Sequence, residues 1–511
     1  MDYIKGIPRE QAYLFTDCLD NIIEVDNEVR IIDVFVESIN IEEFGFESKL
    51  NIEGRPAYNP KDLLKLFIYG YMNSIRSSRG LEKECYRNTE VMWLLRRLAP
   101  DHNTIANFRK DNQQAIKKVF RYTVQISKQF DLIGGKLIAG DSTKLRAQNS
   151  KKNNYNHKKI AQHLEYIDRK LDQYTEALKG EDDEENKQTI KKEIKKQKKR
   201  KKEYQQIEKQ LNESGETQIS TTDPDSRQMI TRNNITEVGY NIQTTVDDKN
   251  KLIIDYHVTN TNDSKAMGEM LGRAGEVLGH HKFTALYDKG YHTGSEIKTA
   301  IEMGVKVMVA IPGVASHAPD HNYDLDQFKY NKKKDHYTCP QGHVLSTNGQ
   351  QYIKSKERST YYVKHYKTAQ CLTCAVKSLC TKNERGRLIE QNEYQEYVDT
   401  NRKNIEKSKE LYRKRQQIVE HPYGTIKRQW GYSYIMTKKS IQHASADVGL
   451  IMTAYNLRRL FNIFDQNSFK AWLKALASII ELIFDNFNAI RDTIFIKNLV
   501  PPILNQQKIT A

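Results

Sequence analysis

The stretch Ile138-Ala-Gly-Asp-Ser-Thr-Lys-Leu-Arg-Ala147 decides the fold, because a short apolar run leads directly into the carboxylate of Asp141. We predict a strand over residues 134–147 that ends near Asp141. Two more carboxylates have distinctive surroundings, in Ala285-Leu-Tyr-Asp-Lys-Gly-Tyr-His292 and Ile418-Val-Glu-His-Pro-Tyr-Gly-Thr-Ile-Lys-Arg428, which contain Asp288 and Glu420. Three converging carboxylates can hold two divalent metals about 3.5–4 Å apart, an arrangement suited to in-line displacement at phosphorus.

The segments between these carboxylates carry the pattern of an α/β sheet. Alternating or apolar runs predict strands, and amphipathic runs predict helices between them; the strands cover Tyr240 to Val246, Leu252 to Val258, the run into Asp288 and Val305–Ile311, with helices at about 263–279 and from about Ser295. This order is that of an RNase H-like domain, in which the first and fourth strands are neighbours. We therefore expect Asp141 and Asp288 to share a metal, with Glu420 brought across by a later helix.

The composition is that of a soluble, strongly basic protein. The chain has 511 residues, with 81 Lys and Arg against 65 Asp and Glu and a formal net charge of +16. An excess of this size favours a polyanionic partner, although a basic protein without one is the simpler alternative. We expect no membrane span and no signal peptide, and six cysteines in so long a chain indicate a reducing cytoplasm rather than a disulfide scaffold.

Residues 1–130 are predicted to form a helical N-terminal DNA-binding domain. Asn59-Pro60 is a good helix start, since Asn caps and Pro takes the first helical position. A later helix near Asn103 carries Arg109 and Lys110. Short helices, a break at Pro100-Asp101 and a basic last helix would suit a helix-turn-helix-like reader of DNA. An ordinary helical bundle with solvated basic residues is the alternative.

Two inserts are expected within a catalytic domain over residues 131–460. In residues 157–213, apolar residues from Ile160 to Leu178 step by four and three, which predicts a coiled-coil hairpin. Its second arm holds nine basic residues in twelve, Lys191 to Lys202. Such a run is either a solvated helix face, a phosphate-contacting arm or a dimer contact.

The second insert, residues 312–395, is rich in cysteine. Four thiolates, two of them in a CxxC turn, could close a tetrahedral zinc site that supports folding: Cys339, Cys371, Cys374 and Cys380. Unliganded cytosolic thiols are the alternative. Residues 461–511 are predicted to form a helical C-terminal segment, so the fold class is mixed α and β.

The chain resembles bacterial insertion-sequence transposases of the DDE class. The matching stretches run almost from end to end, and they include Tyr58-Asn-Pro-Lys, Ile75-Arg-Ser-Ser-Arg, Asp101-His-Asn-Thr-Ile, Gly140-Asp-Ser-Thr-Lys, Thr222-Asp-Pro-Asp, Gly239-Tyr-Asn-Ile-Gln, Asp288-Lys-Gly-Tyr and Glu420-His-Pro-Tyr-Gly-Thr-Ile-Lys. The resemblance implies an RNase H-like catalytic domain that uses Mg²⁺ or Mn²⁺ on transposon-end DNA. It places Asp141, Asp288 and Glu420 on the catalytic positions.

Many relatives carry a signature of Tyr, Arg, Glu and Lys around this glutamate. Tyr412 and Arg415 keep the first spacing, and Glu420 with Lys427 keeps the last, but Arg415 to Glu420 is one residue too long. We assign Lys427 a catalytic role, since a cation near the scissile phosphate can position it and offset its charge.

The function expected from these observations is Mg²⁺-dependent DNA cleavage and strand transfer by a transposase bound to the ends of its insertion sequence. The alternatives are a DNA-binding regulator derived from a transposase, without catalysis, and a nuclease without strand transfer. We expect double-stranded DNA as partner (terminal inverted repeats and target), a homodimer or higher assembly on that DNA, and a nucleoid-associated cytoplasmic location. The predicted DNA contacts are Arg76, Arg79, Arg109, Lys110, Lys144, Arg146, Lys427 and Arg428.

Overall fold

The computed structural model describes residues 18–46, 56–231, 235–313, 317–356, 359–437 and 439–464, together with residue 471. These residues form a mixed α and β structure, as predicted. Within the described ranges, no helix is both long and apolar enough to cross a membrane. Most of the predicted C-terminal segment, 461–511, lies outside the described residues.

The N-terminal part is helical. Asn59 caps the fourth helix through its side chain, which accepts a hydrogen bond from the Lys61 amide, and Pro60 takes the first position, so the predicted helix start is confirmed. The helices are α1 (Leu19–Ile22), α2 (Glu28–Glu37), α3 (Ile41–Phe44), α4 (Pro60–Met72), α5 (Ser78–Arg87), α6 (Thr89–Leu94), α7 (His102–Asp111) and α8 (Gln113–Gln129).

A six-stranded sheet follows, interrupted by the first insert. The insert begins after β1 (Leu137–Arg146) and contains β2 (Asn154–Tyr155), α9 (His157–Gly180), α10 (Glu184–Ser214) and β3 (Ile219–Ser220). The sheet and its helices continue with β4 (Arg227–Ile230), β5 (Thr236–Asp247), β6 (Ile253–Thr259), α11 (Met267–Leu278), β7 (Thr284–Tyr287), α12 (Gly294–Glu302) and β8 (Lys306–Val309).

The strand order is β4-β5-β1-β7-β8, with β6 also paired to β5. β1 runs antiparallel to β5 and parallel to β7, and β7 runs parallel to β8. The first long strand therefore lies beside the strand that ends at Asp288, which is the adjacency predicted from the sequence. The expected end of the first strand was wrong, since β1 continues five residues beyond Asp141 while it pairs with β5.

The first insert is an antiparallel pair of long helices, as the apolar spacing predicted. α9 and α10 pack along each other, with Ile160, Ile167 and Leu211 fully buried. His163 of α9 stacks on Tyr204 of α10 with ring centroids 4.7 Å apart. The short β2–β3 pair closes the base of this hairpin.

The second insert consists of two small sheets and one short helix. They are β9 (Lys329–Asn331), β10 (His336–Thr338), β11 (Val344–Ser346), β12 (Gln351–Lys356), β13 (Ser359–Tyr366), α13 (Lys377–Cys380) and β14 (Ile389–Asn392). A separate apolar cluster supports this insert, and Cys339 and Cys380 pack against it.

Three helices complete the described chain: α14 (Gln395–Lys407), α15 (Lys409–Tyr423) and α16 (Ile441–Ile463). Pro422 lies inside α15 without ending it, and a π-helical turn, Gly424–Gln429, follows directly. Such turns frequently occur at functional sites.

One hydrophobic core extends from the N-terminal helices through the sheet to α16. α16 packs against α4, α7, α8 and β6, so it contacts both sides of the predicted boundary at residue 130. The N-terminal helices are thus built onto the sheet by a shared core rather than set apart from it.

Candidate active site

Asp141 and Asp288 lie at matching positions on neighbouring parallel strands. The parallel pairing of β1 with β7 includes Ala139 opposite Leu286, and each aspartate follows two residues later. Asp288 comes directly after β7, whereas Asp141 is still paired with Thr244 of β5. Because β7 ends here and β1 continues, the two carboxyl groups share the open end of the parallel ladder.

The charge of Asp141 is held in an unfavourable environment. Burial raises the pKa of its carboxyl group to about 6, and the nearby carboxylates of Asp288 and Asp263 add to this rise. Two groups act in the opposite direction: the Ser142 amide donates a hydrogen bond of 2.8 Å, and Arg415 Nη1 lies 3.6 Å away. A bound cation would offset the remaining cost of this charge.

Asp263 is a third carboxylate at this site, and the sequence analysis missed it. Its Oδ1 accepts hydrogen bonds from Asn241 Nδ2 at 2.7 Å and from Gln243 Nε2 at 2.8 Å. Its Oδ2 lies 3.8 Å from Lys144 Nζ. Asp263 is the first residue of a short 3-10 turn after β6, and Asn262 caps this turn. The one available signal was the pair of amide side chains at 241 and 243 on the strand beside Asp141.

Close packing fixes the backbone around Asp141. A Cβ added to Gly140 would lie 2.1 Å from Cε1 of Tyr287, so only glycine fits between β1 and this buried ring. The neighbouring Tyr291 donates a hydrogen bond of 2.5 Å to Gln243, the residue that also holds Asp263. The strand positions of the carboxylates are therefore tied to one another through buried tyrosines.

α15 lies across the strands that carry the aspartates. Tyr412 donates a 3.0 Å hydrogen bond to the carbonyl of Tyr287, the residue before Asp288. Arg415 faces Asp141, as described above, and Tyr423 OH lies 2.6 Å from Thr244 Oγ1. Arg415 thus contacts a predicted catalytic residue despite its altered spacing from Glu420.

The hydrogen-bond partner of the Glu420 carboxylate is on its own helix and is neither of the two aspartates. Its side chain is exposed, and its Oε1 accepts a 2.8 Å hydrogen bond from Gln416 one turn earlier on α15. It lies three residues before Tyr423, which places it about 60° around the helix from a residue that contacts the site.

Lys427 does reach the site from the π-helical turn. Its Nζ donates a 2.7 Å hydrogen bond to Thr143 Oγ1, two residues along β1 from Asp141. Because the turn widens the helix after Tyr423, the lysine is directed back over β1 rather than outward.

Two of the predicted DNA contacts are buried, and that prediction is wrong for them. Arg76 and Arg109 are each about 95% buried and pair with Asp447 of α16 at 3.7 and 3.4 Å. Arg76 also stacks 4.1 Å from the ring centroid of Tyr432. A basic residue enclosed by core and paired with a buried acid has no surface to offer to phosphate.

The other predicted DNA contacts remain at the surface. Arg79, Lys110, Arg146 and Arg428 are exposed, and Lys144 is half-buried beside Asp263. Lys144 and Arg146 continue β1 beyond Asp141, and Lys427 Nζ lies 3.5 Å from the carbonyl oxygen of Lys144. These positions suit a DNA strand that runs along β1, and their contacts with DNA stay a prediction.

The four cysteines of the second insert line one small pocket together with His343. All are free thiols, and burial raises the pKa of Cys380, with Cys371 and Cys339 adding to the rise. A closed zinc site needs its ligand atoms closer together: of the described residues, only His317, His321 and Asp324 bring three such atoms within 4.8 Å of one another. The predicted zinc site therefore has its four thiols in one place but not at coordination distance.

Comparison with known proteins points to one family. A Transposase domain (DUF772) model matches residues 17–111, and a Transposase DDE domain model matches residues 338–461, which include Glu420 and Lys427. A cryo-EM structure of a piggyBac transposase synaptic complex with hairpin DNA is 12% identical over 94% of this chain and 84% of that chain, with a TM-score of 0.29, too low to argue a shared fold. No curated protein matches. The two matched regions of the chain are therefore similar to a transposase domain and to the DDE domain of transposases.

Proposed function

We propose that this protein binds the ends of its insertion sequence, cuts the DNA there in a Mg²⁺-dependent reaction and joins the freed 3′-OH to target DNA. The observation that carries the proposal is the placement of Asp141 and Asp288 at matching positions of neighbouring parallel strands. The strand order β6-β5-β1-β7-β8, antiparallel and then parallel, supports an RNase H-like catalytic domain. The pairing of two copies on DNA and a nucleoid-associated location remain predictions.

The donor atoms are of the type that a hard divalent cation prefers, although the three carboxylates named here do not bring their oxygens within 4.8 Å of one another among the described residues. Asp141, Asp288 and Asp263 offer carboxylate oxygens, which Mg²⁺ and Mn²⁺ prefer, and no thiol or imidazole is among these donors. Shifted carboxyl groups cluster at functional sites, and the pKa of Asp141, raised by burial, supports the proposal in this sense. When bound, the metals activate the attacking oxygen and stabilise the leaving oxygen.

The side chains around the carboxylates have separate tasks in this proposal. Arg415 orients Asp141, and Asn241 with Gln243 fixes Asp263. Lys427 binds the scissile phosphate from above β1, where its ammonium offsets charge that develops on the phosphate. Nothing in this arrangement requires a covalent protein intermediate.

Two residues are candidates for the third metal-binding carboxylate. The family resemblance assigns it to Glu420, whereas Asp263 is a rival because its carboxylate helps to raise the pKa of Asp141. We propose that Glu420 leaves Gln416 and turns toward the site when metal and DNA bind, while Asp263 helps to position Asp288 and Lys144.

The test is cleavage of a plasmid that carries the DNA flanking the gene on both sides. Asp141→Ala, Asp288→Ala and Glu420→Ala should each abolish cleavage in Mg²⁺ and leave DNA binding intact. Gln416→Ala, which frees Glu420 from its partner, is the matched control on the same helix face and should retain cleavage. If Glu420→Ala cleaves normally and Asp263→Asn does not, Asp263 is the third ligand. Wild-type protein that binds these ends without cutting them would overturn the proposal.

A further inference from the structure

The outer face of α10 is a continuous lysine surface. Between residues 191 and 202, every exposed side chain is a lysine: Lys191, Lys192, Lys195, Lys196, Lys198, Lys199 and Lys202. The remaining positions of this stretch are buried or half-buried toward α9, among them Ile194 and Gln197. The composition of this face is thus uniform rather than merely rich in charge.

Four of these lysines form a straight stripe. Lys191, Lys195, Lys198 and Lys202 fall within about 60° of one another around the helix, and the stripe is about 16 Å long at 1.5 Å per residue. Among the residues that the structure describes, none of the four has a carboxylate within 4.0 Å. Like charges three and four residues apart disfavour a helix, so this stripe carries a cost that a polyanion would remove.

The partner helix shows what an ordinary solvated face looks like in the same hairpin. The exposed positions of α9 carry both signs, with Lys158, Arg169 and Lys179 interspersed among Glu165 and Glu176. Lys179 pairs with Glu176 at 3.0 Å. Since the exposed positions of α9 carry both signs, exposure to solvent does not by itself account for the lysine-only surface of residues 191–202.

We propose that the α10 lysine stripe binds the phosphate backbone of duplex DNA outside the catalytic groove. The inference deepens the proposed function, since it names a second DNA contact of the same protein. A stripe of about 16 Å covers about five base pairs at 3.4 Å each. Lys202 lies twelve residues before the end of α10 at Ser214, so the contact begins about 18 Å from the base of the hairpin.

The test is the salt dependence of binding to a fluorescein-labelled duplex of about 40 base pairs and arbitrary sequence. Each phosphate neutralised by the protein contributes about 0.9 to the slope of log K against log salt. Replacing all four stripe lysines by Gln should therefore lower the slope by about 3 to 4 between about 50 and 200 mM salt. Gln keeps helix propensity, and circular dichroism checks that the hairpin remains folded.

A matched control removes four positive charges elsewhere on the first insert. The variant Lys152→Gln, Lys158→Gln, Arg169→Gln, Lys179→Gln changes exposed residues at the base of the hairpin and on α9, which lie off α10. Its slope should stay near that of the wild type. Equal slopes in the two variants would overturn the inference, as would a stripe variant that changes the oligomeric state and leaves the slope unaltered.

The binding slope tests the DNA contact on α10, and cleavage tests the proposed function, so the two can fail independently. If the wild type does not cut DNA but the stripe variant loses slope, the proposed function fails and the DNA contact stands. If the wild type cuts DNA and the slope is unchanged in the stripe variant, the contact on α10 is refuted and the proposed function stands.

Discussion

Replacing Asp141 by Asn should stabilise the metal-free protein. Burial raises the pKa of this carboxyl group from 3.8 to about 6, so the folded state holds the proton more tightly than the unfolded state does. The contribution of Asp141 to the free energy of unfolding therefore decreases as pH rises from about 4 to about 6, and it stays lower above that range. A difference of about two pKa units corresponds to about 3 kcal/mol of unfolding free energy. We expect Asp141→Asn to recover up to this amount at pH 7.5 in EDTA.

The same substitution should remove the response to Mg²⁺. A cation that binds the Asp141 carboxylate must displace its proton, so the apparent affinity of the wild type for Mg²⁺ should be about twofold weaker at pH 6 and about tenfold weaker at pH 5 than at pH 8. The Asn variant carries no charge to titrate. We expect its melting temperature to be independent of Mg²⁺ and its stability to lack the decrease between about pH 4 and 6 that Asp141 causes in the wild type.

Differential scanning fluorimetry in EDTA and in a Mg²⁺ series, at several pH values, measures both effects. Asp172→Asn removes an exposed carboxylate of α9 and is the matched control, with an expected shift near zero. An Asp141→Asn protein that melts below the wild type in EDTA at pH 7.5 would refute the electrostatic reasoning. Full retention of the Mg²⁺ response would remove Asp141 from the metal site.

Three further outcomes follow from the structure. Asp447→Ala leaves two buried arginines without their counter-charge and should cost about 3–5 kcal/mol in urea unfolding; a loss below about 1 kcal/mol would contradict the pairing. Gly140→Ala drives a methyl group into the ring of Tyr287 and should abolish cleavage and lower the melting temperature, whereas an unaffected variant would show that β1 can move. The four thiols of the second insert line one pocket but must close around an ion, so we expect one zinc per chain by elemental analysis of the purified protein and none in Cys374→Ser; zinc-free wild type would favour unliganded thiols.

The adjacency of Asp141 and Asp288 was predictable because it depends on two local patterns and one rule of strand order. Each aspartate follows an apolar run, and the run of strands and helices between them leaves the first and fourth strands as neighbours. The length of β1 was not predictable in the same way. Its extension to Arg146 is stabilised by pairing with β5, a partner about 100 residues later in the chain.

The errors concern residues whose role depends on distant partners. Arg76 and Arg109 were assigned to DNA because a basic side chain looks the same in the sequence whether solvated or buried. Their acid, Asp447, lies 338 residues after Arg109, and no local pattern links them. Asp263 was overlooked for the converse reason, since it lies in a polar turn after β6 with no apolar run leading directly into it, and only the folded chain brings it near Asp141.

The pairing of Asp447 with the N-terminal arginines bears on the order of events during synthesis. Tyr71, Arg76 and Arg109 leave the ribosome long before α16 does, and they must wait for a carboxylate 338 residues downstream of Arg109. At about 5–20 residues per second, that interval lasts about 20–70 s. A nascent chain thus holds its N-terminal helices without their central counter-charge until α16 has been synthesised.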